Sequence, residues 1–264
     1  IYSGDAFREM ITLTINDTLI FGNRGNYNGG GIYCKHFQRE LMNVFIMFCN
    51  FQANKLISKA YNSGGGAIYI HNCNKAIIYS TVISDQEAAN GAGIYSFFVN
   101  TVTFSFCKCD NNVAHGHIDR GAYYRTTRGD GGAIWMKTVQ KVVINHTIIV
   151  NNTARTGGGG IYCDVVKFMK STVSTFASNT LIESTYYEAS GGALYAKHCD
   201  IIVHIKAEFN NNKGSTGGAI AIENRIGRRE IAFQCLKCVF YHNFITPNDN
   251  KMYISCIGGV LCLY

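Results

Sequence analysis

The sequence predicts an all-β chain wound as a right-handed, single-stranded parallel β-helix of about eight coils, and three observations carry that expectation. First, a glycine-rich apolar signature recurs through the whole length: Gly30-Gly31-Ile32-Tyr33, Gly66-Ala67-Ile68-Tyr69, Ala92-Gly93-Ile94-Tyr95, Gly132-Ala133-Ile134-Trp135, Gly159-Gly160-Ile161-Tyr162, Gly192-Ala193-Leu194-Tyr195, Gly218-Ala219-Ile220-Ala221 and Gly259-Val260-Leu261-Cys262. Second, each copy alternates with an apolar anchor followed three residues later by Asn, as in Phe51…Asn54, Phe176…Asn179 and Phe209…Asn212. Third, the spacing inside the unit is fixed while the spacing between units varies, which is the mark of a solenoid with loops to one side.

The fixed spacing fills in the elements of a coil. From the Ile or Leu of the first signature to the next anchor is 15 residues in five coils, from Ile68 to Ile83 through Leu194 to Phe209. Two residues before the anchor stand small side chains: Thr18, Cys49, Thr81, Cys107, Thr147, Ser174, Ala207 and Cys238. Five before it stand Ile15, Ile46, Ile78, Phe104, Ile144, Ser171, His204 and Cys235, and seven before it an apolar column from Leu13 to Phe233. Alternating β-branched and small residues at this period predict strands rather than helices. Strands of successive coils then pair at about 4.8 Å, so like residues stack as ladders.

The polar column has its own logic. Asn23, Asn54, Gln86, Asn112, Asn152, Asn179, Asn212 and Asn243 form the expected structural ladder. Asn tolerates left-handed backbone angles, and its amide can bond backbone groups and the amides above and below. The paired glycines provide a second corner where a Cβ would clash.

Repeats of Gly-Gly-Ala-Ile with Phe-x-x-Asn resemble those of the polymorphic outer membrane proteins of chlamydiae and similar surface proteins of some protists. The segments Phe176-Ala-Ser-Asn179 with Gly191-Gly-Ala-Leu194, and Phe209-Asn-Asn-Asn212 with Gly217-Gly-Ala-Ile220, carry the likeness most closely. The resemblance extends over essentially the whole chain and implies a right-handed β-helix used for adhesion or display at a cell surface.

Totals narrow the function classes. Hydrophobic residues make up 47% and charged residues 16% of the 264, ample for a continuous core and unlike a disordered chain. The whole of 1–264 reads as a single β-helix domain. Ile1 in place of Met, and core columns that begin abruptly, lead us to expect either a segment of a longer solenoid or coil ends that dock onto neighbouring subunits. No run of apolar residues is long enough to span a bilayer, so this segment is not expected to insert in a membrane. The net charge of +7 is scattered, without the dense basic stripe of a nucleic-acid binder. Candidate glycosylation sites at Asn16, Asn145 and Asn151 lean the chain toward an extracellular or cell-surface location.

Chemistry is harder to find. The residue after each Ile alternates outward, giving an aromatic stripe of Tyr33, Tyr69, Tyr95, Trp135, Tyr162 and Tyr195. It reads either as a self-stacked ladder covered by loops or as a surface for glycans or a protein partner. Beside it runs a column of Lys35, His71, Phe97, Lys137, Asp164 and Lys197. A carbohydrate-active β-helix enzyme, a lyase or hydrolase, would need carboxylates facing one another on neighbouring coils or an acidic calcium cluster. The acids instead fall in different columns, with Asp164 and Glu223 two coils apart around Lys197, so no catalytic set emerges and an enzyme is not expected. His115-x-His117-x-Asp119 lies on the longest loop between complete coils, and without further ligands it reads as solvated loop, not metal site. Cys235 and Cys238 both point inward as small packing groups. No metal and no cofactor is expected, and the leading reading is a structural or adhesive module for protein or glycan contacts.

Overall fold

A computed structural model describes residues 10–37, 42–57, 63–118, 126–127, 129–182, 191–223, 232–245, 256–257 and 261–263. Strand follows strand with no helix among the described residues. They stack into three parallel sheets, the long one with 13 strands and the other two with eight each, and the coil winds right-handed as strand twist favours. One antiparallel pair, His117–Ile118 with Thr126–Thr127, sits apart on a loop, and a second, Cys256–Ile257 with Leu261–Leu263, ends the long sheet.

The register of the long sheet bears out the columns read from the sequence. Ile32, Ile68, Ile94, Ile134, Ile161, Leu194, Ile220 and Leu261 pair in one line across successive strands. Ile46, Ile78, Phe104, Ile144, Ser171 and His204 form another, all fully buried. The anchors Phe51, Ile83, Cys109, Ile149, Phe176 and Phe209 are equally closed off from solvent. Phe176, Phe209 and Phe240 stack with centroids 4.7 and 4.8 Å apart and planes within 6°, one coil spacing per ring.

One feature departs from simple alternation. The inward columns at two and five residues before the anchor are three apart, where a flat strand would give two. The structure turns a corner there: Asp17, Phe48, Ser80, Phe106, His146, Val173, Lys206 and Lys237 all have φ between 46° and 57°. A single left-handed residue swings the chain from the long sheet into the anchor sheet and keeps both neighbours facing inward. Further left-handed columns lie at Asn72, Phe98, Thr138, Val165 and His198, and at Ala53, Asp85, Asn111, Asn151, Ser178, Asn211 and His242.

The Asn column braces from inside the corner turned by the Ala53 to His242 column, each rung directly following its left-handed residue. Gln86, Asn54, Asn112, Asn152, Asn179 and Asn212 are fully buried. Each side-chain oxygen accepts the backbone N–H of the preceding rung, as in Asn152 N–H to Asn179 Oδ1 at 3.2 Å and Asn179 N–H to Asn212 Oδ1 at 3.0 Å. Each amide nitrogen donates back to the anchor carbonyl of the preceding coil, as Asn179 Nδ2 does to Ile149 O at 2.9 Å. Gln86 performs the same two jobs, accepting from Asn54 N–H at 3.0 Å and donating to Phe51 O at 2.8 Å. The ladder runs unbroken from Asn23 to Asn243.

His204 and its neighbour Ser171 are the polar members of an otherwise apolar column. It shares a hydrogen bond with Ser171 on one neighbouring coil and pairs in register with Cys235 on the other. The rings of Phe176, Phe209 and Phe233 surround it. Burial pushes its pKa down to about 3, because no anion is at hand to balance an imidazolium.

Two outcomes are expected from this interior. Asn179→Leu orphans the Asn152 N–H and the Ile149 carbonyl, and should cost about 2–6 kcal/mol at the usual 1–3 kcal/mol per buried unsatisfied group. Urea unfolding checks it, and an unchanged midpoint would show the rung to be dispensable. His204 is neutral when folded and protonates near pH 6.5 when unfolded, so its contribution is complete above pH 6.5 and is lost as pH falls toward 3. Between pH 7 and pH 4 that loss should be on the order of 3 kcal/mol, and His204→Ile should flatten the pH profile by that amount.

Candidate functional site

The outer face of the long sheet is where the chain concentrates its chemistry, because the Ile column faces in and its neighbours therefore face out. Tyr33, Tyr69, Tyr95, Trp135, Tyr162 and Tyr195 stand in register on successive strands. Their rings form a continuous column: 5.1 Å from Tyr33 to Tyr69, 5.0 Å to Tyr95, 4.1 Å to Trp135 and 5.9 Å to Tyr162, with planes within 16°. Tyr195 then turns edge-on to Tyr162 at 76°.

These rings lie outside the coil without lying open. Tyr69, Tyr95, Tyr162 and Tyr195 are each at most 6% exposed, while Tyr33 and Trp135 are half-buried. The cover is backbone. A Cβ on Gly64 would stand 2.1 Å from Cδ2 of Tyr95, and one on Gly157 would stand 2.6 Å from Cδ1 of Tyr195. Glycine is required at both places because the chain runs directly across the ring. The close environment shows in Tyr69, whose phenol is pushed up to about 12 by burial and by Tyr33 beside it.

A polar seam joins the covering turns to one another. Asn90 Nδ2 donates to Ser63 O at 3.2 Å, and its Oδ1 accepts the backbone N–H groups of Gly129 and Asp130, both at 3.1 Å. The Thr156 hydroxyl donates to Asp130 Oδ1 at 2.6 Å. Sequence reading missed this seam. Its signal was there in Asn28, Asn90, Asp130 and Thr216, each four residues before an Ile of the glycine-rich signature.

Next to the rings runs a column of alternating charge. Lys137, Asp164, Lys197 and Glu223 occupy matching positions on four consecutive coils. Lys137 Nζ lies 2.9 Å from Asp164 Oδ2, and Lys197 Nζ lies 2.8 Å from Glu223 Oε1. His198, at a left-handed corner, places Nδ1 3.1 Å from Asp164 Oδ1, while its buried Nε2 finds no partner among the described residues. The Tyr195 hydroxyl donates to Glu223 Oε2, tying the aromatic column to the charged one. His71, further along the same line, has its pKa lowered by burial and by Lys35. The sequence brought Asp164, Lys197 and Glu223 together. It did not bring in His198, whose inclusion depends on a corner that only the backbone angles reveal.

Chemically this face is a neutralised set. The two carboxylates sit two coils apart, about 9.6 Å at the usual strand spacing, and each is held by its own lysine. Neither faces the other, and neither is left as an unengaged acid or base.

The remaining candidates are placed as follows. Asn16 and Asn151 are exposed, with Asn16 Nδ2 bonded to Asp17 and Asn151 Nδ2 to Asp110, and Asn145 is half-buried at a strand end. His115 Nε2 stands 3.4 Å from Glu87, and Asp119 lies outside the described residues. No three metal-binding side chains cluster among the described residues. Cys34, Cys49, Cys73, Cys107, Cys109, Cys163 and Cys199 are buried free thiols, while Cys235 and Cys238 are free and half-buried. Burial pushes Cys34, Cys73 and Cys199 up to about 12, which keeps them as inert thiols.

The Chlamydia polymorphic membrane protein repeat model matches the chain at residues 17–35 and 146–164. Both matched spans begin at a left-handed corner residue, pass through the anchor and the Asn rung, and end in the aromatic and charged columns. The chain thus carries repeats of this type. No curated protein and no solved structure matches it. No helix among the described residues is long and apolar enough to cross a membrane.

The covered column predicts a specific sensitivity. Gly64→Ala should force Tyr95 off the stack and cost about 1–3 kcal/mol, as overpacking typically does. Trp135, the single tryptophan, lies against Tyr95, so its emission should shift in the same variant. A variant with parental melting and emission would show that the turn does not press on the ring.

Proposed function

We propose that the chain is a structural and adhesive β-helix module displayed at a cell surface, where it contacts proteins or glycans. The observation that carries this reading is the coincidence between the matched repeat spans and the physical unit of the coil, from corner through rung to outer face. A relative of surface proteins that keeps their repeat unit intact inherits their architecture first and their mode of display with it. The buried thiols do not oppose an exterior location, because burial holds them protonated and resistant to oxidation.

On the outer face, glycan contact would fall to Tyr33 and Trp135, the two members of the aromatic column that keep partial exposure. A carbohydrate-active enzyme is the weaker reading, because Asp164 and Glu223 are each ion-paired and do not flank a common space. Neighbouring subunits would dock at the ends of the coil, extending the sheets as each coil extends the one before it.

Two measurements test the proposal. Antibodies against the 264-residue chain should label intact, unpermeabilised cells, and beads coated with the chain should adhere to cell layers or immobilised glycans above an albumin coat. Labelling that appears only after permeabilisation would overturn the surface location. Retention equal to albumin on every surface would overturn the adhesive role.

A further inference from the structure

The corner between the long sheet and the anchor sheet carries side chains that folding does not call for. Left-handed backbone favours Gly, Asn and Asp, yet Phe48, Phe106 and Val173 hold it at φ 53°, 57° and 48°. Each such residue costs about 1–2 kcal/mol in backbone strain. None of the three repays this by burial, since they are 53%, 55% and 43% exposed. Tyr79, Val82 and Ile148 flank them and are exposed as well. Ring contacts make the row continuous, with Phe48 edge-on to Tyr79 at 5.4 Å, Tyr79 to Phe106 at 5.6 Å, and Phe106 stacked on His146 at 4.9 Å. Strained and solvent-facing apolar residues on every second coil, bridged by Tyr79 and His146 between them, mark a surface kept for contact.

Its shape and charge select the occupant. The row is the convex edge where one sheet turns into the next, about 19 Å long over four coil spacings. Beside it on the long sheet, the strand segments Asn43–Met47, Lys75–Tyr79, Thr101–Ser105, Lys141–Asn145 and Phe168–Thr172 contain Lys75, Lys141 and Lys170 and no acid. Across the corner Lys108 is paired with Asp110 at 2.7 Å. Asp17 and Glu208 lie toward the two ends, and Glu208 is taken up by Tyr241. A second copy of this edge would set lysines against lysines.

We propose that this ridge rests on an anionic lipid surface. The headgroup layer yields around a convex apolar edge, aromatic rings settle at its depth, and lysine stems reach the anionic groups beside it. The contact is shallow and peripheral, and it is separate from the aromatic column on the long sheet.

The test is co-sedimentation of the 264-residue chain with vesicles of phosphatidylcholine alone and of phosphatidylcholine mixed with phosphatidylserine. Binding is expected to the mixed vesicles and to weaken with salt. The double variant Phe48→Asn, Phe106→Asn keeps residues that favour the left-handed corner, so the coil still folds, and should bind at least about tenfold more weakly. Lys141→Gln should weaken binding about fivefold. Phe98→Asn, at a different left-handed corner, should bind as the parent does. The proposal is overturned if the parent ignores mixed vesicles, or if the double variant binds as well as the parent. It is equally overturned if the ridge variants lose a protein ligand while the parent binds neither vesicle.

Discussion

The constraint on which the fold depends is the satisfaction of a polar corner inside an apolar tube. A coil this narrow must reverse direction three times, and every reversal exposes backbone N–H and C=O groups to the interior. Two corners turn on left-handed non-glycine residues and the third on the glycine-rich turns. At the second, an amide side chain directly after the left-handed residue accepts one backbone donor and returns a hydrogen to one carbonyl. Unmet groups would each cost more than a hydrogen bond contributes, so the ladder is what permits the anchors to be fully buried at all.

Repetition made the architecture legible. Any single Phe-x-x-Asn is weak, but the anchor-and-Asn pattern repeated along the chain, five times at one fixed distance from the Gly-Ala-Ile signature, places every inward column. Gln86 takes a rung of the ladder despite its longer side chain, at the position that the spacing gives it. What sequence spacing could not convey was backbone angle. The three-residue step between inward columns holds the trace of a corner, and the exposure of Phe48 and Phe106 follows only from that corner's backbone angles. His198 escaped for the same reason, being a corner residue whose side chain reaches back to Asp164.

The outer face was half legible. Alternation correctly sent the tyrosines to the outside of the coil, and register correctly aligned Asp164, Lys197 and Glu223. Whether an outward ring is open depends on what crosses above it, and that is set by the glycine turns. Gly64 and Gly157 look like further members of a flexible loop in one dimension, yet in three they are the lid on the stack. The same face therefore serves stability along most of its length, with Tyr33 and Trp135 left at partial exposure.

The ladder has a direction. Every rung presents its oxygen toward the coil before it and its backbone donor toward the coil after it, from Asn23 through to Asn243. The two ends of such a column are therefore unlike, one offering acceptors and the other donors. A rung set the other way round would bring oxygen against oxygen and N–H against N–H, so a coil can join this column in one sense only.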